Sequence, residues 1–213
     1  MSGATVYTGK SNIDSTRNFT GYISDLRIIK GQAVYTQNFQ PPIAPLTTIT
    51  NLNGTTSLLT FNSNSFKDYS SNNHAINIST SPQYCRILPV GPYKPLTVWS
   101  STTNIGSVYF DSIGGTRLSV SLPTSWQTLQ CWIYFIPSGS DKTIFRTGTS
   151  SNSGFASSYI NSANELWFLS YANYKSIVTL KPYSWIHIAI VRNNNTTTFY
   201  INGTSVNTAS NTG

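Results

Sequence analysis

Apolar and polar positions in this chain alternate with a period of two, and the longest such stretch sets the frame. In Tyr183 to Val206, YSWIHIAIVRNNNTTTFYINGTSV, the residues Trp185, His187, Ala189 and Val191 fall on one face and Ile186, Ile188 and Ile190 on the other. A strand that wants cover on both faces is a central strand. Asn193-Asn194-Asn195 interrupts the run. Thr196 to Ile201 then alternates Thr197, Phe199 and Ile201 against Thr196, Thr198 and Tyr200, and ends at Asn202-Gly203. The spacing predicts a hairpin inside a sheet-on-sheet core.

The same period recurs upstream. Ala4 to Lys30 holds two strand candidates, ATVYTG and NFTGYISDLRIIKG, and the next segment, QAVYTQNFQPPIAPL, is irregular. Its Pro41, Pro42 and Pro45 remove backbone donors and fix an extended path, so it should run over the outside of the sheets. Leu58, Thr60 and Phe61 open another strand, Lys67 to Asn73 reads as a tight polar turn, and Ala75, Ile76 and Ile78 resume the strand. Ser81 to Ser100, with four prolines, should be a long surface connection. Val108, Phe110, Leu118, Val120 and Leu122 supply core positions around a Gly114-Gly115 turn. No helical period longer than a turn or two occurs, and the expected fold is an all-β, antiparallel two-sheet β-sandwich.

The 213 residues suit one sandwich-sized domain, taken as residues 1–213. Charged residues make up 9% and aromatics 13%, so the strand surfaces lean on hydroxyls and amides. The net charge of +7 comes from cations scattered singly, without a basic run or nucleic-acid motif, which argues against a nucleic-acid partner. The same charge allows a weak attraction to anionic envelope polymers. Cys85 and Cys131 lie far apart; Cys131, within TLQCWIYF, behaves as a small apolar residue, and both are expected as free thiols. Met1 to Lys10 is polar and does not read as a secretion signal, and no apolar run reaches the length of a membrane span, so no membrane insertion is expected.

The run W-x-H-I-A-x-V-R followed by F-Y-I-N-G resembles the signature hairpin of the concanavalin A-like, laminin G-like jelly-roll family. With G-Y-I-S-D-L-R-I-I-K-G and Y-x-x-N-F-x-P-P it is similar to repeats of bacteriophage and other virus particle proteins and of large bacterial surface proteins. In that family the last two motifs usually close a repeat, after the hairpin; here residues 1–49 come first and 50–213 follow in family order. This implies either a circularly permuted jelly roll or a stretch spanning the end of one repeat and most of the next. Tyr7 to Ile29 would then dock beside Tyr183 to Ile201 of the same chain, or exchange onto a neighbour.

The resemblance implies a non-enzymatic structural module on a virion surface, as a fibre piece or capsid decoration. Its partners would be other virion proteins, copies of itself, and host surface polysaccharide. A purely architectural virion role and a bacterial cell-surface adhesin within a longer chain are the alternatives. Some relatives hydrolyse glucans through paired carboxyls, but Glu165 is the only glutamate here and no acid lies within twenty residues of it. His187 alternates with apolar residues and reads as a hydrogen-bonded core histidine, and no catalytic residue is expected. No cofactor is expected either, save for calcium, which many laminin G-like domains bind at a sheet rim. Asp68 with Asn72 and Asn73 is the candidate for it, against the plainer reading of an Asp capping its own turn. Asp25 and Asp111 read as local hydrogen-bonding residues.

Sugars are held by aromatic faces and planar polar side chains, so loop aromatics beside Asn and Ser are the candidates. Tyr171, Asn173 and Tyr174 in SYANYKS fit best, followed by Tyr69 and Trp99, with Tyr84, Tyr93 and Trp126 weaker. Trp132, Trp167 and Trp185 read as core.

Overall fold

The computed structural model describes residues 4–10, 16–49, 53–63, 65–80, 82–85, 106–112, 116–122, 126–147, 156–169 and 174–210. Among these residues there is no helix. The chain opens with β1 (Ala4–Thr8) and β2 (Thr20–Lys30), then runs without a strand to β3 (Thr55–Thr60). Next come β4 (Asn77–Ser79), β5 (Gln83–Cys85), β6 (Ser107–Asp111), β7 (Arg117–Leu122), β8 (Thr128–Phe135) and β9 (Lys142–Thr147). The chain continues with β10 (Ala156–Ile160), β11 (Glu165–Leu169), β12 (Tyr174–Thr179), β13 (Trp185–Asn193), β14 (Thr196–Ile201) and β15 (Thr204–Ser210).

Two antiparallel sheets result. One has the order β12-β11-β10-β9-β1-β7-β4 and the other β15-β14-β13-β8-β2-β6-β5, with β3 also paired to β2. The expected sandwich is what the chain forms. Its core lies between the sheets and includes Val6, Ile23, Val108, Phe110, Leu118, Val120, Leu122, Cys131, Ile133, Phe145, Phe168, Ile186, Ile188, Ile190 and Phe199. The core positions expected at Val108, Phe110, Leu118, Val120 and Leu122 are all there; the Gly114-Gly115 turn lies outside the described residues.

The first two strands enter the middle of both sheets. β1 lies between β7 and β9, and β2 lies between β8 and β6. The expectation that this segment lies directly beside the Tyr183 to Ile201 hairpin is corrected by one strand: β8 stands between β2 and β13. The reason is that β8 alternates as strictly as β13, with Leu129, Cys131, Ile133 and Phe135 inward, so it too needs neighbours on both edges. The register of β2 on β8 shifts between Ser24 and Arg27, and Asp25 takes φ 52° there. This bulge splits one edge of β2 between two partners, Thr20 to Ile23 facing β6 and Leu26 to Lys30 facing β3.

Other expectations need smaller corrections. Ala75 and Ile76 stay outside any strand, because β4 is only three residues long. Trp132 and Trp185 are buried, but on the outer face of β8 and β13 and not between the sheets. Trp167 is half-buried on the outer face of β11, stacked on Tyr159 with centroids 6.0 Å apart. Cys131 is buried and Cys85 half-buried, and both are free thiols. Most of the long connection at Ser81 to Ser100 lies outside the described residues.

Candidate functional site

Residues 31–49 cross the outer face of β8, β13 and β14 as a strap. The hydroxyl of Thr128 accepts from the Val34 amide at 3.0 Å and donates to the Gln32 carbonyl at 3.1 Å, while the Gly31 amide donates to Gln127 Oε1. Further along, the Phe39 amide donates to the Gly203 carbonyl at 2.9 Å and the Ser205 amide to Asn38 Oδ1 at 2.9 Å. The strap therefore takes its backbone partners from the β8 start and from the Asn202-Gly203 turn. Its aromatic residues lie over Ala189, Val191 and Tyr200, with Tyr35 and Phe39 stacked at 3.6 Å and 5°.

Under the strap lies a polar network. Gln130 is fully buried, and the amide orientation that satisfies every neighbour turns its oxygen to Arg27 (Nη2 at 2.6 Å, Nε at 3.0 Å). Its nitrogen then donates to the Tyr35 hydroxyl at 2.6 Å and to His187 Nε2 at 3.2 Å. Arg27 also donates to the Thr47 carbonyl at 2.8 Å. Burial, helped by the nearby Arg27 charge, pushes His187 down to about 3, so the ring is neutral and serves as an acceptor. His187 is thus a hydrogen-bonded residue beneath the strap and has no geometry of a base. Nearby, burial pushes Asp25 up to about 7, against the lowering effects of the Leu46 amide, the Ser24 hydroxyl and Arg27. Asp25 Oδ1 accepts from the Leu46 amide at 2.7 Å and pins the far end of the strap.

Where the strap meets the β13–β14 turn it leaves a cleft of about 430 Å³, lined by Tyr35, Thr36, Val191, Asn193, Asn194, Asn195, Thr196, Thr198 and Tyr200. Four of these, Asn193 to Thr196, are exposed, and no lining side chain carries a charge. Burial raises the pKa of both Tyr35 and Tyr200, which keeps the phenols protonated as donors. The Tyr200 hydroxyl donates to the Tyr35 carbonyl at 3.3 Å, so the two rings are fixed against each other. Amides, hydroxyls and a held aromatic ring around a concave, uncharged space suit a polyhydroxylated neutral ligand.

A second cleft, about 270 Å³, is lined by Thr48, Ile49, Thr55, Thr56, Tyr69, Ser70 and Ser71. Among the described residues, the expected sugar-binding residue Tyr69 lines this cleft. It is 37% exposed, and its hydroxyl lies 2.6 Å from both Ser63 Oγ and Ser65 Oγ. Tyr171, Asn173, Trp99 and Tyr93 lie outside the described residues. Tyr174 begins β12, opposite Phe168 at the sheet edge. Tyr84 is half-buried against Phe66. Trp126, read as a loop aromatic, is instead 4% exposed in the core, its ring under the Arg192 guanidinium at 4.0 Å; β-strand ends at Leu122 and Thr128 draw it inward.

Asp68 is 1% exposed. Its Oδ1 accepts from the Leu59 and Ser70 amides at 3.1 and 2.8 Å, and its Oδ2 from Ser70 Oγ and the His74 amide at 2.8 and 2.9 Å. Both oxygens therefore face donors, three from its own turn and one from β3, and a cation here would have to displace them. Asp111 accepts from the Thr116 hydroxyl at 2.7 Å. Among the described residues, no cluster of three His, Cys, Asp or Glu could hold a metal.

The Tyr35 cleft escaped sequence reading because it joins residues more than 150 positions apart. The only signal was the Asn193-Asn194-Asn195 run, which also reads as ordinary turn chemistry. Comparison with known proteins matches residues 97–213 to a family model described as the concanavalin A-like lectin/glucanases superfamily. No curated protein and no solved structure matches the chain.

Proposed function

Because the chain belongs to the concanavalin A-like lectin/glucanases superfamily, we propose that it is a non-enzymatic module that binds neutral glycan in the Tyr35 to Asn195 cleft. The observation that carries this reading is the cleft itself: uncharged, lined by three exposed asparagine amides and three threonine hydroxyls beside a stacked tyrosine. Each amide offers both donor and acceptor to sugar hydroxyls, and the ring offers a face to sugar C–H groups. The reading against hydrolysis rests on carboxyl supply. The chain has six acids. Asp25 and Asp68 are buried in hydrogen bonds, and the single glutamate, Glu165, accepts from Asn161 Nδ2 at 2.8 Å. Glycoside hydrolysis calls for two carboxyls facing one cleft, about 5 to 10 Å apart.

The setting we propose is a virus particle surface, with host envelope polysaccharide as the ligand. Its support is the resemblance of Gly21 to Gly31, Tyr35 to Pro42 and Phe199 to Gly203 to motifs of phage structural repeats; the first two lie outside the matched residues 97–213. The test is binding of the purified protein to a panel of neutral glycans, with reducing-end release measured in parallel. Saturable binding without hydrolysis is expected. Release of reducing ends would overturn the non-enzymatic reading. Failure of folded protein to bind any glycan would overturn the lectin reading in favour of the architectural one.

A further inference from the structure

The strap that walls the Tyr35 cleft is fastened at both ends by one buried network. At its far end the Leu46 amide donates to Asp25 Oδ1 at 2.7 Å, and the Thr47 carbonyl accepts from Arg27 Nη1 at 2.8 Å. At its near end the Tyr35 hydroxyl accepts from Gln130, whose oxygen is in turn held by Arg27 Nη2 at 2.6 Å and Nε at 3.0 Å. Arg27 therefore touches both fastenings. Asp25 stands two residues before it on β2, at the bulge where its backbone takes φ 52°. The carboxyl is shut in: Asp25 is 0% exposed, Leu46 beside it is 7% exposed, and Oδ2 accepts from the Ser24 hydroxyl at 2.9 Å.

From this connectivity we propose that the charge state of Asp25 works the strap as a latch on the Tyr35 cleft, fastened while the carboxyl is protonated and loosened once it ionises. A carboxylate in a dry site, facing one amide and one hydroxyl, draws in the neighbouring guanidinium. Arg27 has to leave the Thr47 carbonyl and the Gln130 oxygen to reach it. Gln130 then loses the contact that sets its amide, Tyr35 loses its fixed donor, and both ends of the strap slacken together. The titratable and charged groups around Asp25 are Arg27 on its own strand, Cys131 on β8, His187 on β13 and Tyr35 on the strap. Its other neighbours, Ser24, Gln130, Leu46, Thr47 and the Phe61 carbonyl that accepts its amide at 3.0 Å, carry no charge. Burial raises Tyr35 and Cys131 and pushes His187 down to about 3, so all three stay neutral between pH 6 and 8.5, and Arg27 stays cationic. Burial pushes Asp25 up to about 7, inside that window. As a control on binding, the latch rests on the neutral-glycan reading of the cleft; the strap itself can be followed without ligand, so the two readings fail separately.

The experiment is amide hydrogen exchange and NMR titration of the intact, ligand-free protein and of Asp25→Asn, which keeps an acceptor for the Leu46 amide and cannot ionise. With a carboxyl of ordinary pKa in the opened strap and one near 7 in the closed strap, opening at the Leu46 amide in wild type relative to Asp25→Asn should rise about tenfold between pH 6 and 8.5. Taking the ratio of the two proteins at each pH removes the intrinsic pH dependence of exchange and the His187 contribution that they share. A second reading needs no variant. In wild type the Tyr35 and Thr36 signals should shift with the same midpoint as the Asp25 carboxyl. Leu46 exchange that runs in parallel in the two proteins, or Tyr35 and Thr36 signals that stay fixed while the Asp25 carboxyl titrates, would overturn the latch.

Discussion

The carbonyl oxygen of Phe39 lies 1.8 Å from the position a Cβ on Gly203 would occupy. These two residues are 164 positions apart, and the Phe39 amide donates to the Gly203 carbonyl at 2.9 Å. The two motifs that carry the family resemblance, Tyr35 to Pro42 and Phe199 to Gly203, are therefore halves of one structural unit. The strap can lie flat on the hairpin only because residue 203 has no side chain, and Asn202 completes the joint by accepting from the His187 amide at 2.9 Å.

A substitution at that joint should be costly. Gly203→Ala would set a methyl group against the Phe39 carbonyl at a backbone φ of 78°, and about 3 kcal/mol of stability should be lost. Gly139→Ala is the control, because Gly139 also has positive φ, 70°, but nothing within 4 Å of the added carbon. Its cost should be about 1 kcal/mol, that of the backbone alone. Chemical denaturation of the two variants makes the comparison; equal losses would mean that the strap does not press on residue 203.

The buried pair of titrating groups beneath the strap should be visible in the pH dependence of stability. Asp25 has its folded pKa raised to about 7, so its contribution is fully present below about pH 4 and is lost as pH rises toward 7. His187 has its folded pKa lowered to about 3, so its contribution is present above about pH 6.5 and is lost as pH falls. Between about pH 4 and 6.5 the two slopes oppose each other, and wild-type stability should change little. The groups facing this pair are Arg27, Tyr35, Gln130, Ser24 and Cys131. His187→Gln leaves the Asp25 slope unopposed, so its melting temperature should rise relative to wild type between pH 7.5 and 5. Asp25→Asn should do the reverse. Parallel curves for all three proteins would show that neither group is held in its neutral form by the fold.

The sandwich, the inward faces of β8 and β13 and the outward path of the proline-rich strap were legible because each rests on local periodicity or proline chemistry. His187 as a hydrogen-bonded buried histidine was legible in the same way, although its partner Gln130 was not. What stayed hidden depends on which strands become neighbours. Nothing in the β8 sequence says that it separates β2 from β13. Trp126 resembles a loop aromatic because the residues around it are polar, yet Arg192, 66 positions later, covers its ring. Tyr35 and Asn193 to Asn195 become one cleft only after the strap docks.

The most direct measurement is the affinity of a variant that strips the cleft of amides while keeping its backbone. Asn194 has φ 51°, a conformation glycine adopts without strain, so Asn194→Gly removes the amide and preserves the turn. Combined with Asn195→Ala, it should weaken binding to the best neutral glycan of the panel about tenfold or more, the value of one or two lost hydrogen bonds, with the melting temperature nearly unchanged. Wild-type affinity in that double variant would contradict the assignment of the Tyr35 to Asn195 cleft as the sugar site.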